Sequence, residues 1–306
     1  ASLTRGTNFG IVPPLVYWGC YALKQRAWRK TMARYLDPKA DLTFKKVFGE
    51  HPNLVASLLN SLLPLPAGEE IADIEYMSPE RVPRTSIGKN SIVDVFCKTK
   101  DGRQFIVEMQ TVWSNEFQQR VLFNASKAYV KQLGEGNDYE LLKPVFSLNL
   151  VNDVFEKDID DWYHYYRIVH EKYSDKVING LQLLFVELPK FKPQTFSDKK
   201  MMVLWLRFLT EINEKTDAPA PELKEDAFIK KALGLVEHSA YSDKELAAYE
   251  KFWDIIRTEN TLISSSEKKG ARNKALEIAQ NLKQMGISVA DIAKATGLSE
   301  EEIIKL

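Results

Sequence analysis

Two carboxylates stand in an otherwise apolar stretch, Asp94 and Glu108 within KNSIVDVFCKTKDGRQFIVEMQ, which runs from Lys89 to Gln110. Ser91 to Lys98 and Gln104 to Val112 are rich in Ile, Val, Phe and Cys, and Lys100-Asp101-Gly102 between them is a hairpin signal. Side chains alternate along a strand, so Glu108 and Gln110 share one face while Val107 and Met109 take the other. The turn decides whether Asp94 joins them. A two-residue loop at Asp101-Gly102 would set Asp94 opposite Met109, whereas a three-residue loop sets it opposite Glu108. The longer loop needs a type I turn followed by a left-handed residue, and Gly102 stands at that place. Asp94 and Glu108 are therefore expected as facing neighbours, with Cβ atoms roughly 4.5–5.5 Å apart.

Two carboxylates that close repel unless a proton or a cation lies between them. A divalent metal resolves the conflict: Mg²⁺, or Mn²⁺ in its place, takes one or two carboxylates, leaves its other positions to water and phosphate oxygens, and activates water for phosphodiester hydrolysis. Gln110 would then orient the water or a phosphate oxygen, without supplying the positive charge of a Lys. The other reading of the same spacing is a half-exposed hairpin whose acids only face solvent.

Several elements must position this hairpin. From Asp41 to Leu63 apolar residues recur at helical spacing, with Asp41 at the N-cap or in the first turn and Lys45 and Lys46 behind it. Ile71 to Met77 reads as a short strand. Lys89 stands where the chain enters the first hairpin strand, in reach of a phosphate or merely solvated. Ser114 to Gln132 is helical through Phe117, Val121, Ala125 and Ala128, and its Arg120 either serves the carboxylates or a phosphate, or forms a surface ion pair. Pro144 to Val151 reads as a core strand, and Tyr163 to His170 as a strand whose rings pack on the sheet beside Leu181 to Leu188.

The chain of 306 residues is 44% hydrophobic and 27% charged, ordinary for a globular protein, and its 42 basic and 42 acidic side chains balance. Any DNA contact must therefore be local. Cys20 and Cys97, far apart in sequence, suit a reducing cytoplasm and a buried thiol. The apolar run in residues 1–31 is broken by Pro13-Pro14 and followed by its basic cluster, the reverse of a secretory signal, and is too short to span a membrane. No G-x-x-x-x-G-K-[ST] loop occurs, so no nucleotide cofactor is expected. Residues 197–261 read as helical, Thr261 to Gly270 as a linker, and the remainder as short helices spaced like a helix-turn-helix. The segment in the place of a recognition helix, Ser299 to Leu306, begins with Glu300-Glu301-Glu302, which phosphates would repel; a packing or self-association module is favoured over a base reader.

These pieces together resemble the Rpn family of recombination-promoting nucleases and transposases, within the PD-(D/E)XK superfamily. The residues that carry the resemblance are Asp37-Pro38-Lys39 with Asp41, Phe44-Lys45-Lys46-Val47-Phe48-Gly49, Lys89, Asp94, Glu108-Met109-Gln110, Arg120, Tyr129, Gly136-Asn137-Asp138-Tyr139, Tyr163-His164-Tyr165 and Phe185-Val186-Glu187-Leu188-Pro189-Lys190. The resemblance implies an α/β, restriction-endonuclease-like core with a mixed central sheet flanked by helices, followed by a C-terminal helical region. It implies that Asp94 and Glu108 bind the metal, that Gln110 stands where the motif Lys is usual, and that DNA is the substrate. In related folds a helical acid approaches the metal, which makes Asp41 a third candidate, with Lys45, Lys89 and Arg120 as DNA contacts. The expected division is residues 1–31 outside the family, 32–195 the nuclease-like domain, 196–262 a helical subdomain, and 263–306 a linker with a helix-turn-helix-like module. The expected protein is a cytoplasmic, Mg²⁺-dependent DNA endonuclease without membrane attachment, compatible with recombination, element mobility and defence alike. An enzyme that cuts both strands needs two sites, so a homodimer or higher homo-oligomer is expected. The alternative is a non-catalytic DNA-binding or oligomeric regulator that keeps the fold.

Overall fold

A computed structural model describes residues 34–77, 94–134, 136, 138–193 and 200–306. Residues 1–31 and Lys89 lie outside them. The elements are α1 (Asp41–Phe44) continuing as a π-helical turn (Lys45–Gly49), α2 (Pro52–Leu62), β1 (Glu75–Tyr76), β2 (Val95–Lys98), β3 (Gln104–Gln110), α3 (Asn115–Val130), β4 (Val145–Val151), β5 (Tyr163–Val169), β6 (Val177–Glu187), α4 (Lys200–Glu211), α5 (Pro221–Glu225), α6 (Ala227–Leu235), α7 (Asp243–Gln284), α8 (Val289–Thr296) and α9 (Glu300–Ile304).

The six strands among the described residues form one mixed sheet in the order β1-β2-β3-β4-β6-β5. β3, β4 and β6 run parallel, with β2 antiparallel to β3 and β5 antiparallel to β6. Parallel neighbours need a crossover, and α3 supplies it between β3 and β4. Both faces of these strands are covered, as a parallel sheet requires. On one face Phe105, Val107, Leu148, Leu184 and Val186 join a large core with α2, α4 and α6, centred on Trp205, Phe44 and Phe48. On the other, Ile106, Val145 and Phe96 meet Ala125 and Ala128 of α3, while Val151 and Phe185 meet Phe117 and Val121.

The Asp37-Pro38-Lys39 motif is a staple between elements distant in sequence. The Lys39 ammonium pairs with Asp37 Oδ1 at 2.9 Å and donates to the Leu209 carbonyl at 2.8 Å, at the end of α4. The Asp37 amide donates to the Tyr249 hydroxyl of α7 at 2.8 Å, and the Thr43 hydroxyl donates to the Asp37 carbonyl at 2.6 Å. Leu204, Trp205, Leu206, Phe208 and Leu209 of α4, with Ile229, Ala232 and Leu233 of α6, share the buried cluster of the sheet.

Two expectations about elements change. The strand expected over residues 71–77 reduces to Glu75–Tyr76, since Asn60 of α2 takes both backbone groups of Ile71 into side-chain bonds, leaving a loop there. The expected linker over Thr261 to Gly270 is helical: α7 runs 42 residues without a break. Ser and Lys carry only a mild helix penalty, Gly270 carries about 1 kcal/mol, and neighbouring Glu, Lys and Arg residues favour the helix. A Ser242–Glu245 capping box starts it. Its C-terminal part packs Ala279 against Ile292 of α8, Leu298 and Ile303 of α9, and Gly297 closes α8 at φ 68°. Among the described residues, no helix is long and apolar enough to cross a membrane.

Substitution of Gly270 tests the uninterrupted helix. Nothing lies within 4 Å of a Cβ built at Gly270. Gly270→Ala is expected to raise the thermal midpoint, worth about 0.5–1 kcal/mol, and Gly270→Pro to cost about 3 kcal/mol with loss of helical signal by circular dichroism. A flexible linker would accept Pro with no change in helicity.

Candidate active site

The hairpin loop takes the three-residue form. Strand register pairs Val95 with Val107 and Lys98 with Gln104, and the Thr99 amide donates to the Arg103 carbonyl at 3.0 Å. Lys100, Asp101 and Gly102 remain as the loop, with Gly102 at φ 90°. That left-handed value is the one the turn demands, and it favours glycine. One further step along the register sets Asp94 level with Glu108, on the α3 side of the sheet.

Each carboxylate has its own support. Asp94 Oδ2 accepts from the Met109 amide at 2.8 Å, and Lys45 of the π-helical turn stands 3.9 Å from Oδ1. Burial raises the Asp94 carboxyl above its ordinary value, against the pull of the Met109 amide and Lys45. Glu108 is 4% exposed, and burial, then the charge of Asp94, push its carboxyl up to about 7. Arg120 and Asn124 pull the other way. This is a like-charge pair in a poorly hydrated place, the condition that a proton or a cation relieves.

Helix α3 answers strand β3 in two rungs. Residues four apart on a helix rise about 6 Å, and residues two apart on a strand about 6.7 Å, so two side chains of one can meet two of the other. Asn124 Nδ2 donates to Glu108 Oε1 at 3.2 Å, and Arg120 Nη2 donates to Gln110 Oε1 at 2.9 Å. Arg120 also stands 3.8 Å from Glu108 Oε2, with its guanidinium carbon 4.9 Å from the centre of the Phe117 ring. Gln110 Nε2 donates to the Val112 carbonyl at 2.5 Å, so both ends of the amide expected to hold water are engaged within the protein.

The remaining expected residues are placed as follows. Asp41 is the first residue of α1 behind Ala40, which has no capping side chain, and it pairs with Lys45 at 2.5 Å. Lys45 thus stands between Asp41 and Asp94. Asn124 was not anticipated, although a signal existed: it is the polar member of the stripe Phe117, Val121, Asn124, Ala125, Ala128 that α3 turns inward. It is 1% exposed, and its Oδ1 has no hydrogen-bond partner among the described residues.

A second acid lies along the same strand ends. Register carries Gln110 to Val151 and Val151 to Glu187. Glu187 is fully buried, and its oxygens accept from the Phe155 amide at 2.5 Å, the Glu156 amide at 3.1 Å and His164 Nε2 at 2.9 Å, with the Lys190 ammonium in contact. Burial raises its carboxyl, but Lys190, His164 and the two amides outweigh burial and hold it below the ordinary range. A carboxylate so fully bonded anchors the loop after β4; it leaves little for a ligand.

Asp94 and Glu108 fit a hard divalent cation, since Mg²⁺ takes one or two carboxylates and completes its shell with water and phosphate oxygens. Among the described residues no three His, Cys, Asp or Glu side chains gather into a closed metal cage. No curated protein and no solved structure matches the chain. Two family models do. One, described as Rpn/YhgA-like nuclease family, C-terminal HTH domain, matches residues 272–306, the end of α7 with α8 and α9. The other spans the sheet, both carboxylates and the helices around them, residues 38–266, and by it the chain belongs to the PD-(D/E)XK nuclease family transposases.

Proposed function

We propose that this protein is a metal-dependent DNA endonuclease that hydrolyses phosphodiester bonds at Asp94 and Glu108. Family membership implies a DNA nuclease in the coarser sense. The observation that carries the finer reading is the facing carboxylate pair, held in low dielectric with the Glu108 carboxyl raised to about 7. A divalent cation bound there, Mg²⁺ or Mn²⁺, would supply charge neutralisation at the phosphate and an acidified water as nucleophile.

The chain's own residues do the rest. The Met109 amide fixes the rotamer of Asp94, and Asn124 fixes that of Glu108. Lys45 and Arg120 flank the pair from two helices and meet phosphate oxygens of the incoming strand. Asp41, through Lys45, sets where that ammonium stands. Lys89 adds a backbone contact, and the helix-turn-helix domain adds a second DNA-binding element, although its acidic α9 start favours packing between copies over base reading. Two copies would bring one site to each strand.

A non-catalytic regulator that keeps the fold is the second reading, and Gln110 at the motif position favours it. Cleavage of supercoiled plasmid separates the two. The full chain is expected to nick and linearise plasmid with Mg²⁺ or Mn²⁺ and not with EDTA, and Asp94→Asn or Glu108→Gln to slow cutting by at least roughly 10²-fold. Duplex binding without cutting, unchanged by either substitution, would establish the regulator.

The raised Glu108 carboxyl also gives a stability signature that needs no substrate. A carboxyl at about 7 in the fold and near 4.5 when unfolded binds its proton more tightly in the fold, so stability falls as pH rises from about 4.5 through 7. Glu108→Gln keeps an acceptor for Asn124 and removes the charge. In EDTA it is expected to be more stable than wild type at pH 8, by roughly 1–3 kcal/mol, with no gain below pH 4.5. Equal thermal midpoints at pH 8 would contradict the buried-charge account.

A further inference from the structure

Gln110 stands on the same face of β3 as Glu108, and its amide carries no charge. The charge stands next to it. Arg120 Nη2 donates to Gln110 Oε1 at 2.9 Å, its guanidinium lies 3.8 Å from Glu108 Oε2, and Phe117 supports its flat side at 4.9 Å. Its side chain is 46% exposed, at the open side of the carboxylate pair. Among the described residues Gln110 Oε1 is the only hydrogen-bond acceptor of Arg120, so most of its five N–H donors remain for a phosphate. Lys45, the other nearby cation, already spans Asp41 and Asp94.

We infer that Arg120 is the catalytic cation of this site and that Gln110 is its positioning residue, so that the site's positive charge is delivered from α3. The inference rests on the nuclease reading above. Gln110 suits this task for two reasons. Its Oε1 accepts from a guanidinium, and its own N–H is tied off on the Val112 carbonyl, which fixes the direction of the oxygen. A Lys at 110 would instead set a second cation against Arg120. Arg120, aimed by Gln110, donates to the non-bridging oxygens of the scissile phosphate, on which charge grows during attack.

Four full-length proteins test this: wild type, Arg120→Gln, Gln110→Lys, and the double variant Gln110→Lys with Arg120→Gln. Each is assayed by plasmid cutting with Mn²⁺ and by Mn²⁺ calorimetry without DNA. Arg120→Gln is expected to cut roughly 10²-fold slower or worse, while binding Mn²⁺ at least as tightly as wild type because a like charge beside Glu108 has gone. Gln110→Lys alone is expected to cut more slowly than wild type. The double variant, which returns one cation to the strand, is expected to regain at least roughly tenfold over Arg120→Gln. Arg120→Lys, which keeps charge but not the fork, is expected to fall between wild type and Arg120→Gln and guards against a misfolded Gln variant. Wild-type-like cutting by Arg120→Gln, parallel loss of Mn²⁺ binding and cutting, or no recovery in the double variant would each overturn the assignment while the nuclease reading stands. A wild type that cuts nothing with Mg²⁺ or Mn²⁺ removes the nuclease reading and this inference with it.

Discussion

Two carboxylates held face to face in a poorly hydrated cleft are the constraint around which the other parts of this protein are arranged. Burial acts against the ionised form of both, and the charge of Asp94 adds to it at Glu108. The hairpin imposes the encounter. Its three-residue loop, with Gly102 in the left-handed region, fixes a register in which Asp94 cannot leave Glu108 without breaking the β2–β3 ladder. Compensation then comes from the hairpin's own Met109 amide and, from outside it, an amide side chain of α3, an ammonium of the π-helical turn and a guanidinium of α3. Each offsets part of the repulsion, and the carboxyl of Glu108 still sits near 7.

Such a site needs a rigid frame, and the opposite face of the sheet provides it. Side chains alternate, so Val107 and Met109 point away from the acids, and Val107 lies in the large core with Leu148, Leu184 and Trp205. Buried polar groups brace the ends of that frame. The Lys39–Asp37 pair is buried but satisfied, tied to the Leu209 carbonyl and through the Asp37 backbone to Tyr249. Breaking one partner of such a pair leaves an uncompensated charge, so these residues fix the relation of α1, α4 and α7 more than they add net stability. Glu187, bonded by His164, Lys190 and two amides, does the same for the loop after β4. Many of the motif residues that carried the family resemblance in sequence are thus braces around the site.

What was legible in the sequence follows periodicity. The hairpin, the choice of loop at Gly102, the strands at 145–151 and 163–169 and the helix through Phe117 and Val121 are local patterns with period 2 or 3.6, and they stand where expected. The sheet order and the rungs between α3 and β3 are not local. Asn124 meeting Glu108 and Arg120 meeting Gln110 require the crossover helix to return at one particular height, and no spacing within either element states that height. The continuous helix through Ser264-Ser265-Ser266 and Gly270 failed to show for the opposite reason. Its composition resembles a linker, while the capping box at Ser242 and the cluster around Ile292 hold it from its two ends.

A protein with 42 cationic and 42 anionic side chains has no overall field to draw a polyanion, and the acids in the first turn of α9 add no attraction at the C-terminal domain. Attraction for a polyanion must therefore be local. Lys45 and Arg120 stand at the two ends of the acidic pair, so their charges are spent on local carboxylates whenever the cleft is without a metal ion. A divalent cation taken up by Asp94 and Glu108 would free Arg120 from Glu108, while Lys45 keeps Asp41 as its partner. Arg120 would then offer its charge to a phosphate, with Gln110 still holding the guanidinium in place. On the proposed function, metal uptake would favour phosphate binding at Arg120 through Coulomb's law.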